Sequence, residues 1–369
     1  MKLSSLDSNT GLIVLDSILD ADSEKAVIDL VPGAARQGMQ NIILDFRPLD
    51  HMNSAGASVL VKLAVSAKRQ QIRPFAYGLN RRYRDIFNLT GLSEGIKVLG
   101  DVPDDTVAIE AAALKKLKET EGKKGRQDDK SWAKNTGRLR VKEKSVEAMN
   151  KNVDGRRTVG PLQGFGPMWQ KTYLLPVKRA GLQPVDVIKT MKQHFPEFQP
   201  TQNRFYASSK GLAAGEIVLI DSSTPGGIVS TGVLVLYADD LSFTLITPQG
   251  HPEAGWVTFS ARKSNDGVEM QIQGLARAAD LLYEAAFRVV GSKFQETIWR
   301  HVLSSLAAYL EIEADVRIVK TCVGSNLQWT KTGNLWYNAQ VRSLPYNITR
   351  IFSRRQQPHG ETERKNAGK

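Results

Sequence analysis

The sequence predicts an α/β domain followed by an α+β domain, on three observations. The chain has 369 residues, which is too long for one ordinary core. Strand and helix signals alternate over residues 1–112, whereas residues 158–314 read as successive strands that end in one long helix. Residues 113–157 between them are basic and poor in apolar side chains, and residues 315–369 form a mixed, basic extension. We therefore expect two domains, a flexible linker and a partly disordered C-terminal extension.

Local patterns justify each element of the first segment. Apolar runs predict its strands over residues 11–15, 42–46, 72–78 and 96–99. Amphipathic patterns predict helices over residues 23–36, after Ser54, over 81–88 and over 104–117. A small sheet covered by helices follows from this alternation.

The second segment has longer apolar runs joined by short turns. They predict strands over residues 172–175, 216–220, 229–237, 241–247, 255–262 and 268–275. A helix is predicted over residues 184–194, with Pro184 in its first turn, and a long amphipathic helix over residues 279–311. This order predicts an antiparallel sheet that curls around its C-terminal helix.

Charge and cysteine content limit the function classes. The net charge is +12, but it is concentrated in residues 113–157 and 342–369. Such segments are typical of solubilising flexible chain, and they leave weak contact with an anionic membrane open, whereas nucleic acid is disfavoured as a partner. Cys322 is the only cysteine, which excludes an intramolecular disulfide and a Cys-based metal cluster. The start lacks the apolar core of a signal peptide, and no apolar run is long enough for a spanning helix, so we expect a cytoplasmic protein.

Ser54 is the most informative residue of the first segment. It follows the strand that ends at Asp45, and it stands where an amphipathic helix begins, at the N-cap position. A phosphate there would be held by free backbone N–H groups and would add a charge of roughly −2. A plain N-cap worth about 1 kcal/mol is the alternative interpretation. Ser58, one turn on, is a weaker candidate acceptor.

Three motifs together carry a family resemblance over residues 8–112. Leu44-Asp45 ends a strand, Met52-Asn53-Ser54-Ala55-Gly56 opens a helix, and Leu89-Thr90-Gly91-Leu92 follows another helix. This segment resembles the STAS domain of anti-sigma factor antagonists. The resemblance implies a four- or five-stranded sheet with helices on one side and a phosphorylatable serine at Ser54. It also implies an anti-sigma factor serine kinase as the partner, bound only by the unphosphorylated form.

The partner surface that this resemblance implies lies at the strand end and the helix start: Asp45, Asn53, Ser54, Gly56 and Ser58. Members of the family usually have Asp directly before the serine, and this chain has Asn53 there.

The second segment resembles the helix-grip superfamily of START and polyketide cyclase-like (SRPBCC) domains. The stretches 164–172, 231–237 and 247–256 carry the resemblance, together with the long last helix. It implies an apolar cavity for a lipid, a polyketide or another hydrophobic small molecule. The candidate lining residues are Trp169, Tyr206, Tyr237, Phe243, Trp256, Phe259 and Phe287. The alternative is that these rings simply fill the core.

Catalytic and cofactor motifs are sparse. Gly91-Leu92-Ser93-Glu94-Gly95 matches a nucleophile elbow, but a helix precedes it and a strand follows, the reverse of the required order. The sequence has no phosphate-binding glycine motif and no metal-ligand spacing of histidines, so we predict neither cofactor nor metal. His251 and Glu253 remain open as an acid and base, or as residues of a turn.

Taken together, these patterns predict a non-enzymatic bacterial regulator. Phosphorylation of Ser54 would switch its antagonist-like domain, and the second domain would sense a hydrophobic ligand. The alternative is a carrier of lipid or another hydrophobic small molecule that uses its first domain only for docking. A cyclase or hydrolase acting in the cavity is the third hypothesis.

Overall fold

The computed structural model describes residues 1–99, 130–142, 152–224, 227–313 and 315–344, with the backbone alone for residues 290–294. The predicted helix over 104–117, much of the predicted linker and the end of the C-terminal extension lie outside the described residues. Among the described residues, no helix is long and apolar enough to cross a bilayer.

The first domain is a five-stranded sheet with three helices. Its strands are β1 Lys2–Ser5, β2 Thr10–Val14, β3 Ile18–Leu19, β4 Asn41–Asp45, β5 His51–Met52, β6 Arg73–Tyr77 and β7 Lys97–Val98. Its helices are α1 Glu24–Arg36, α2 Ser54–Arg69 and α3 Arg81–Thr90. The main sheet has the order β1-β2-β4-β6-β7, parallel except for β1, while β3 and β5 form a separate parallel pair. The predicted α/β fold is confirmed, and β1 is an additional edge strand.

The second domain is a large antiparallel sheet with three helices. Its strands are β8 Thr158–Val159, β9 Met168–Val177, β10 Asn203–Tyr206, β11 Ile217–Thr224, β12 Gly227–Ala238, β13 Ser242–Pro248, β14 Glu253–Ser264, β15 Gly267–Ala278 and β16 Arg317–Gly324. The helices are α4 Pro184–Gln193, α5 Leu281–Ala286 and α6 Ser292–Tyr309. The sheet order is β10-β11-β12-β13-β14-β15-β9-β16, and β8 pairs with β13.

The long helix predicted over residues 279–311 is interrupted. α5 begins after Asp280, whose side chain caps it, and a π-helical turn at Phe287–Gly291 separates α5 from α6. The predicted end of the second domain at residue 314 also falls short, because β16 pairs with β9 and completes the sheet. Most of the basic extension that the structure describes therefore belongs to this domain.

Both faces of the second sheet are buried, which explains the unbroken apolar run of β12. One face packs on α4 and α6, through residues such as Val235 and Leu306. The other face shares a core with the first domain, through residues such as Leu234, Leu236 and Leu60. Strands buried on both sides lose the alternation of apolar and polar residues. The two domains therefore pack directly on each other.

The described part of the predicted flexible linker takes part in that core. Trp132, Ala133, Leu139 and Val153 are each at most 5% exposed. Trp132 forms a β-bridge with Tyr237, and the two rings meet edge to face at 5.1 Å. Burying one large apolar side chain contributes about 2 kcal/mol. Burial of these four residues is therefore enough to order the segment, although the residues around them are mostly basic and polar.

Candidate functional site

The start of α2 is capped by Asn53, so the prediction that Ser54 is the N-cap is wrong. Asn53 has an extended backbone, and its side-chain oxygen accepts the N–H of Gly56 at 3.0 Å. Ser54 is the first residue of the helix itself, and its side chain is 1% exposed. An amide at the cap thus leaves the serine hydroxyl available for another partner.

That partner is the second domain. The hydroxyl of Thr244 on β13 donates to Ser54 Oγ at 2.7 Å, and Thr258 on the neighbouring strand β14 lies 3.5 Å from the same atom. The two threonines face each other in register and are 2.9 Å apart. All three side chains are buried. The helix start is therefore closed by a cluster of three neutral hydroxyls.

A second contact lies one helical turn along α2. Ser58 donates to the carbonyl of Ser54 at 3.1 Å and accepts the indole N–H of Trp256 at 2.9 Å. We call the five residues Ser54, Ser58, Thr244, Trp256 and Thr258 the interdomain seam. Every seam side chain is less than 10% exposed. Each is hydrogen-bonded, as buried polar groups require.

Further contacts hold the two domains together around the seam. The indole N–H of Trp132 donates to the carbonyl of Met52 at 2.9 Å. Thr158 donates to the carbonyl of Leu89 at 2.7 Å. Gly160 lies so close to Thr90 that an added Cβ would sit 1.7 Å from the carbonyl oxygen of that residue, so only glycine fits. The packing extends well beyond Ser54.

Two residues of the predicted partner surface face elsewhere. Asp45 is 2% exposed and forms a two-pronged ion pair with Arg47, at 2.9 and 2.7 Å. Its hydrogen bond is the first cause of the raised pKa of Arg47. A Cβ on Gly56 would sit 2.1 Å from the carbonyl oxygen of Leu19, so this glycine serves close packing inside the first domain. Asn53, Ser54 and Ser58 are the predicted residues that cluster at the helix start.

The aromatic residues predicted to line one pocket are divided among several places. Phe243 and Phe259 lie between the sheet and its helices, stacked at 4.5 Å. Tyr237 and Trp256 belong to the opposite face, against the first domain. Odd spacing explains the split within one strand, because Trp256 and Phe259 are three residues apart and side chains alternate between faces.

The other three predicted pocket residues lie away from the helix-covered face. Trp169 is 42% exposed. Tyr206 packs against the core shared with the first domain. Phe287, the first residue of the π-helical turn, stacks on Tyr283 at 6.4 Å.

Aromatic rings fill the space between the sheet and its helices. Phe195 meets Phe243 at 5.7 Å and Phe259 at 5.2 Å, and Trp299 of α6 meets Phe259 at 5.5 Å. Two open depressions of about 440 and 490 Å³ lie instead at the surface, beside the 178–183 turn and around Leu241. The packed rings correspond to the core-filling alternative for Phe243 and Phe259.

The side chains of His251 and Glu253 do not bond to each other: the imidazole bonds to the backbone of Glu253, and the carboxylate bonds to Gln295. Nδ1 of His251 accepts the backbone N–H of Glu253 at 3.0 Å, and burial lowers the pKa of His251 to about 4. The Glu253 carboxylate accepts two hydrogen bonds from Gln295 of α6, both 2.9 Å, and Lys171 donates to the same amide at 2.8 Å. Burial raises the pKa of Glu253, against the opposing effect of Lys171. These bonds tie a turn and a helix to the sheet.

The residues that sequence reasoning missed are Thr244, Thr258 and Trp132. For the first two, the sequence shows only that each is adjacent to a phenylalanine of its strand, Phe243 or Phe259, and therefore faces the opposite side of the sheet. Trp132 is the single tryptophan in the basic segment 113–157. Among the described residues, no group of three or more His, Cys, Asp or Glu side chains is arranged to hold a metal ion.

Comparison with known proteins places the first domain in a family. Residues 6–104 match the model of the STAS domain. The anti-sigma factor antagonist SpoIIAA in its unphosphorylated form is 18% identical, covering 32% of this chain and 98% of SpoIIAA, with a TM-score of 0.24. The phosphorylated form of the Bacillus cell fate determinant SpoIIAA is 21% identical, covering 27% of this chain and 91% of that one, with a TM-score of 0.23.

A third solved structure also matches part of this chain. The di-domain ARO/CYC protein StfQ from the steffimycin biosynthetic pathway is 12% identical over 39% of this chain, with a TM-score of 0.31, and the match spans about half of StfQ, 51%. No curated protein matches the sequence. The family match thus identifies the N-terminal part of this chain, residues 6–104, as a STAS domain.

Proposed function

We propose that this chain is a non-enzymatic regulator of the anti-sigma factor antagonist kind, whose partner surface is held by its own second domain. The single observation that carries the proposal is the burial of Ser54 in the interdomain seam, with its hydroxyl 2.7 Å from Thr244. A serine at this place in a STAS domain is where the family resemblance puts phosphorylation. In this chain the same hydroxyl is buried in one of several contacts between the domains.

Phosphorylation and docking exclude each other on physical grounds. A phosphate brings a charge of roughly −2 and three acceptor oxygens. The hydrogen-bond partners described for Ser54 are hydroxyls of Thr244 and Thr258 and the N-terminal turn of α2, with no Lys or Arg among them. The positive end of the helix dipole would stabilise the phosphate by about 1–2 kcal/mol, whereas burying an unpaired charge costs several kcal/mol. A phosphorylated chain is therefore expected to open at the seam.

The same geometry sets the order of events. A kinase needs the serine side chain in its own active site, and Ser54 is 1% exposed in the docked state. The serine kinase or anti-sigma factor must consequently compete with the second domain for the start of α2. Only open chains can bind such a partner, so its apparent affinity equals the intrinsic affinity multiplied by the fraction of chains that are open.

The sensing of a hydrophobic ligand has less support than the switch. The interior of the second domain is occupied by Phe195, Phe243, Phe259 and Trp299, with ring centres 4.5 to 5.7 Å apart. This packing favours an interaction domain over a carrier. A ligand of this domain would have to displace rings from a packed core, at a cost of about 1 kcal/mol or more for each.

A kinase assay on the full chain tests the proposal. The wild-type protein and Thr244→Arg are incubated with the anti-sigma serine kinase of the host, and intact mass and peptide mapping record the phosphate. Because arginine cannot fit at a site with no exposed surface, the variant should open and gain phosphate on Ser54 at least about tenfold faster. Thr201→Arg, at an exposed turn of the second domain, is the control and should behave like the wild type. Equal rates for all three proteins, or phosphate at another residue, would contradict the proposal.

A further inference from the structure

Exposed apolar side chains lie on a face built by α5, the end of the 3-10 helix Trp329–Tyr337 and the residues that follow it. Trp336 is 84% exposed and Leu282 is 50% exposed. We call this set the apolar patch; its members are Leu281, Leu282, Trp336, Tyr337, Val341 and Leu344. Large contiguous apolar surface on a folded protein marks an interaction site.

Hydrogen bonds hold the two parts of this face together. The side chain of Asn338 donates to Asp280 at 2.9 Å, and the backbone N–H of Gln340 donates to the Tyr283 hydroxyl at 3.0 Å. Residues 339–344 are helical, with Ala339 and Ser343 fully buried. Burial of those two residues directs Val341 and Leu344 outward. The patch is therefore a fixed surface of the second domain.

Three arginines lie beside Tyr337. The guanidinium of Arg156 stands 5.1 Å from the centre of the Tyr337 ring, and Arg342 donates to the carbonyl of Trp336 at 3.4 Å. Arg138 is held near them by its bond to the carbonyl of Gly155 at 2.9 Å. Burial is the main cause of the lowered pKa of Arg156, and the charges of Arg342 and Arg138 add to it. We call Arg138, Arg156 and Arg342 the arginine cluster.

Carboxylates around the patch are turned inward or absent from the sequence. Asp280 is fully buried as the cap of α5, and Glu284 is 8% exposed and paired with Arg288 at 2.8 Å. From residue 316 to residue 360 the sequence has no Asp or Glu, whereas it has seven Lys and Arg. Asp154, in the loop of Arg156, is an exposed carboxylate and accepts the N–H of Val141 at 2.9 Å. The face thus combines aliphatic and aromatic surface with a net positive charge.

We propose that the apolar patch and the arginine cluster form a peripheral membrane-binding face for anionic phospholipids. Tryptophan and tyrosine favour the headgroup region of a bilayer, and Leu281, Leu282 and Val341 provide side chains that insert below it. Arginines beside them bind lipid phosphates. A nucleic acid would use the arginines and aromatic rings but offers nothing to the exposed aliphatic side chains, which favours the bilayer. None of the residues of this face belongs to the interdomain seam, so the inference does not rest on the switch.

Vesicle co-sedimentation of the full chain tests this inference. The wild type should bind phosphatidylcholine vesicles that contain phosphatidylglycerol, bind pure phosphatidylcholine weakly, and lose affinity as salt rises. The double variant Leu281→Ser with Trp336→Ser should bind at least about tenfold more weakly because it loses inserted surface. Arg138→Glu with Arg342→Glu should lose about fivefold for each arginine at low salt.

Matched controls use equally exposed residues elsewhere. Leu241→Ser removes a leucine that is 51% exposed, and Lys263→Glu reverses an exposed lysine. Both should bind vesicles like the wild type. Three outcomes would overturn the inference: no binding to anionic vesicles, equal losses in patch and control variants, or displacement of vesicles by RNA with no effect of the leucine and tryptophan changes. A change of oligomeric state in the patch variants, with vesicle binding intact, would assign the face to contact between copies and would also overturn it.

Discussion

The two faces of the second domain's sheet are both buried, but they are built from different chemistry. The face toward α4 and α6 is closed by hydrocarbon and aromatic rings, with Phe243 stacked on Phe259 at 4.5 Å. The face toward the STAS domain adds the hydroxyls of Thr244 and Thr258 and the indole N–H of Trp256 to its apolar residues. Water can satisfy hydroxyls and indole N–H groups when domains separate, whereas exposed phenylalanines gain nothing from water. The first face is suited to permanent packing and the second to docking that can be reversed.

The largest expected effect breaks the helix-covered face. Phe259→Ala removes a fully buried ring that contacts Phe195, Phe243 and Trp299. We expect the free energy of unfolding of the second domain to fall by about 3–5 kcal/mol, as for other buried Phe→Ala changes. Urea unfolding followed by far-UV circular dichroism measures the loss. A fall below about 1 kcal/mol would mean that this face tolerates a cavity, and it would revive the ligand-binding hypothesis.

The second effect breaks the seam by charge. Ser54→Glu places a carboxylate against Thr244 and Thr258. We expect it to lower the free energy of docking between the two domains by about 3 kcal/mol, or to abolish docking if that free energy is smaller. Hydrogen exchange should then rise at the start of α2, while exchange in α4 and α6, which cover the other face of the sheet, stays slow. Ser54→Ala, which keeps the site neutral, is the control and should leave the exchange pattern close to that of the wild type. Fast exchange on both faces of the sheet would show that the faces are not independent.

The sequence predicted more of the fold than of the site, for a physical reason. The strands of the first domain follow from local apolar runs, and Ser54 was correctly assigned to the start of α2. Its burial depends on Thr244 and Thr258, which lie about two hundred residues away and carry no local signal of that contact. The cap was assigned to the wrong residue because Asn53 and Ser54 are both good N-caps, and only backbone geometry distinguishes them.

The two-residue alternation of side chains along a strand already separates two of the predicted pocket residues. Trp256 and Phe259 cannot line the same face of one strand, since their spacing is odd. The bulge of β12 between Val235 and Tyr237 has no such signal, so the direction of Tyr237 was not predictable. The same holds for Trp132, whose apolar partner Tyr237 belongs to another segment.

The third effect is common to both faces because it acts at the turn between β13 and β14. Packing holds His251 neutral, with its pKa lowered to about 4. A group whose pKa is lower in the folded state stabilises the fold above its unfolded pKa of about 6.5, and it loses that contribution as the pH falls toward 4. We expect about 2 kcal/mol less stability at pH 5 than at pH 8 from this residue. Urea titrations of wild type and His251→Gln at both pH values measure it, and an equal pH dependence in the two proteins would assign the effect to other groups.

The smallest expected effect isolates one bond of the seam. Trp256→Phe keeps most of the ring but removes the N–H that donates to Ser58 at 2.9 Å. Since a neutral hydrogen bond contributes about 1 kcal/mol, a double-mutant cycle with Ser58→Ala should give a coupling free energy of about 0.5–1.5 kcal/mol. The coupling should vanish in the Ser54→Glu background, because separated domains no longer bring Trp256 to Ser58. Coupling that survives in that background would mean that the charge is absorbed without opening, and that the seam is as permanent as the phenylalanine core.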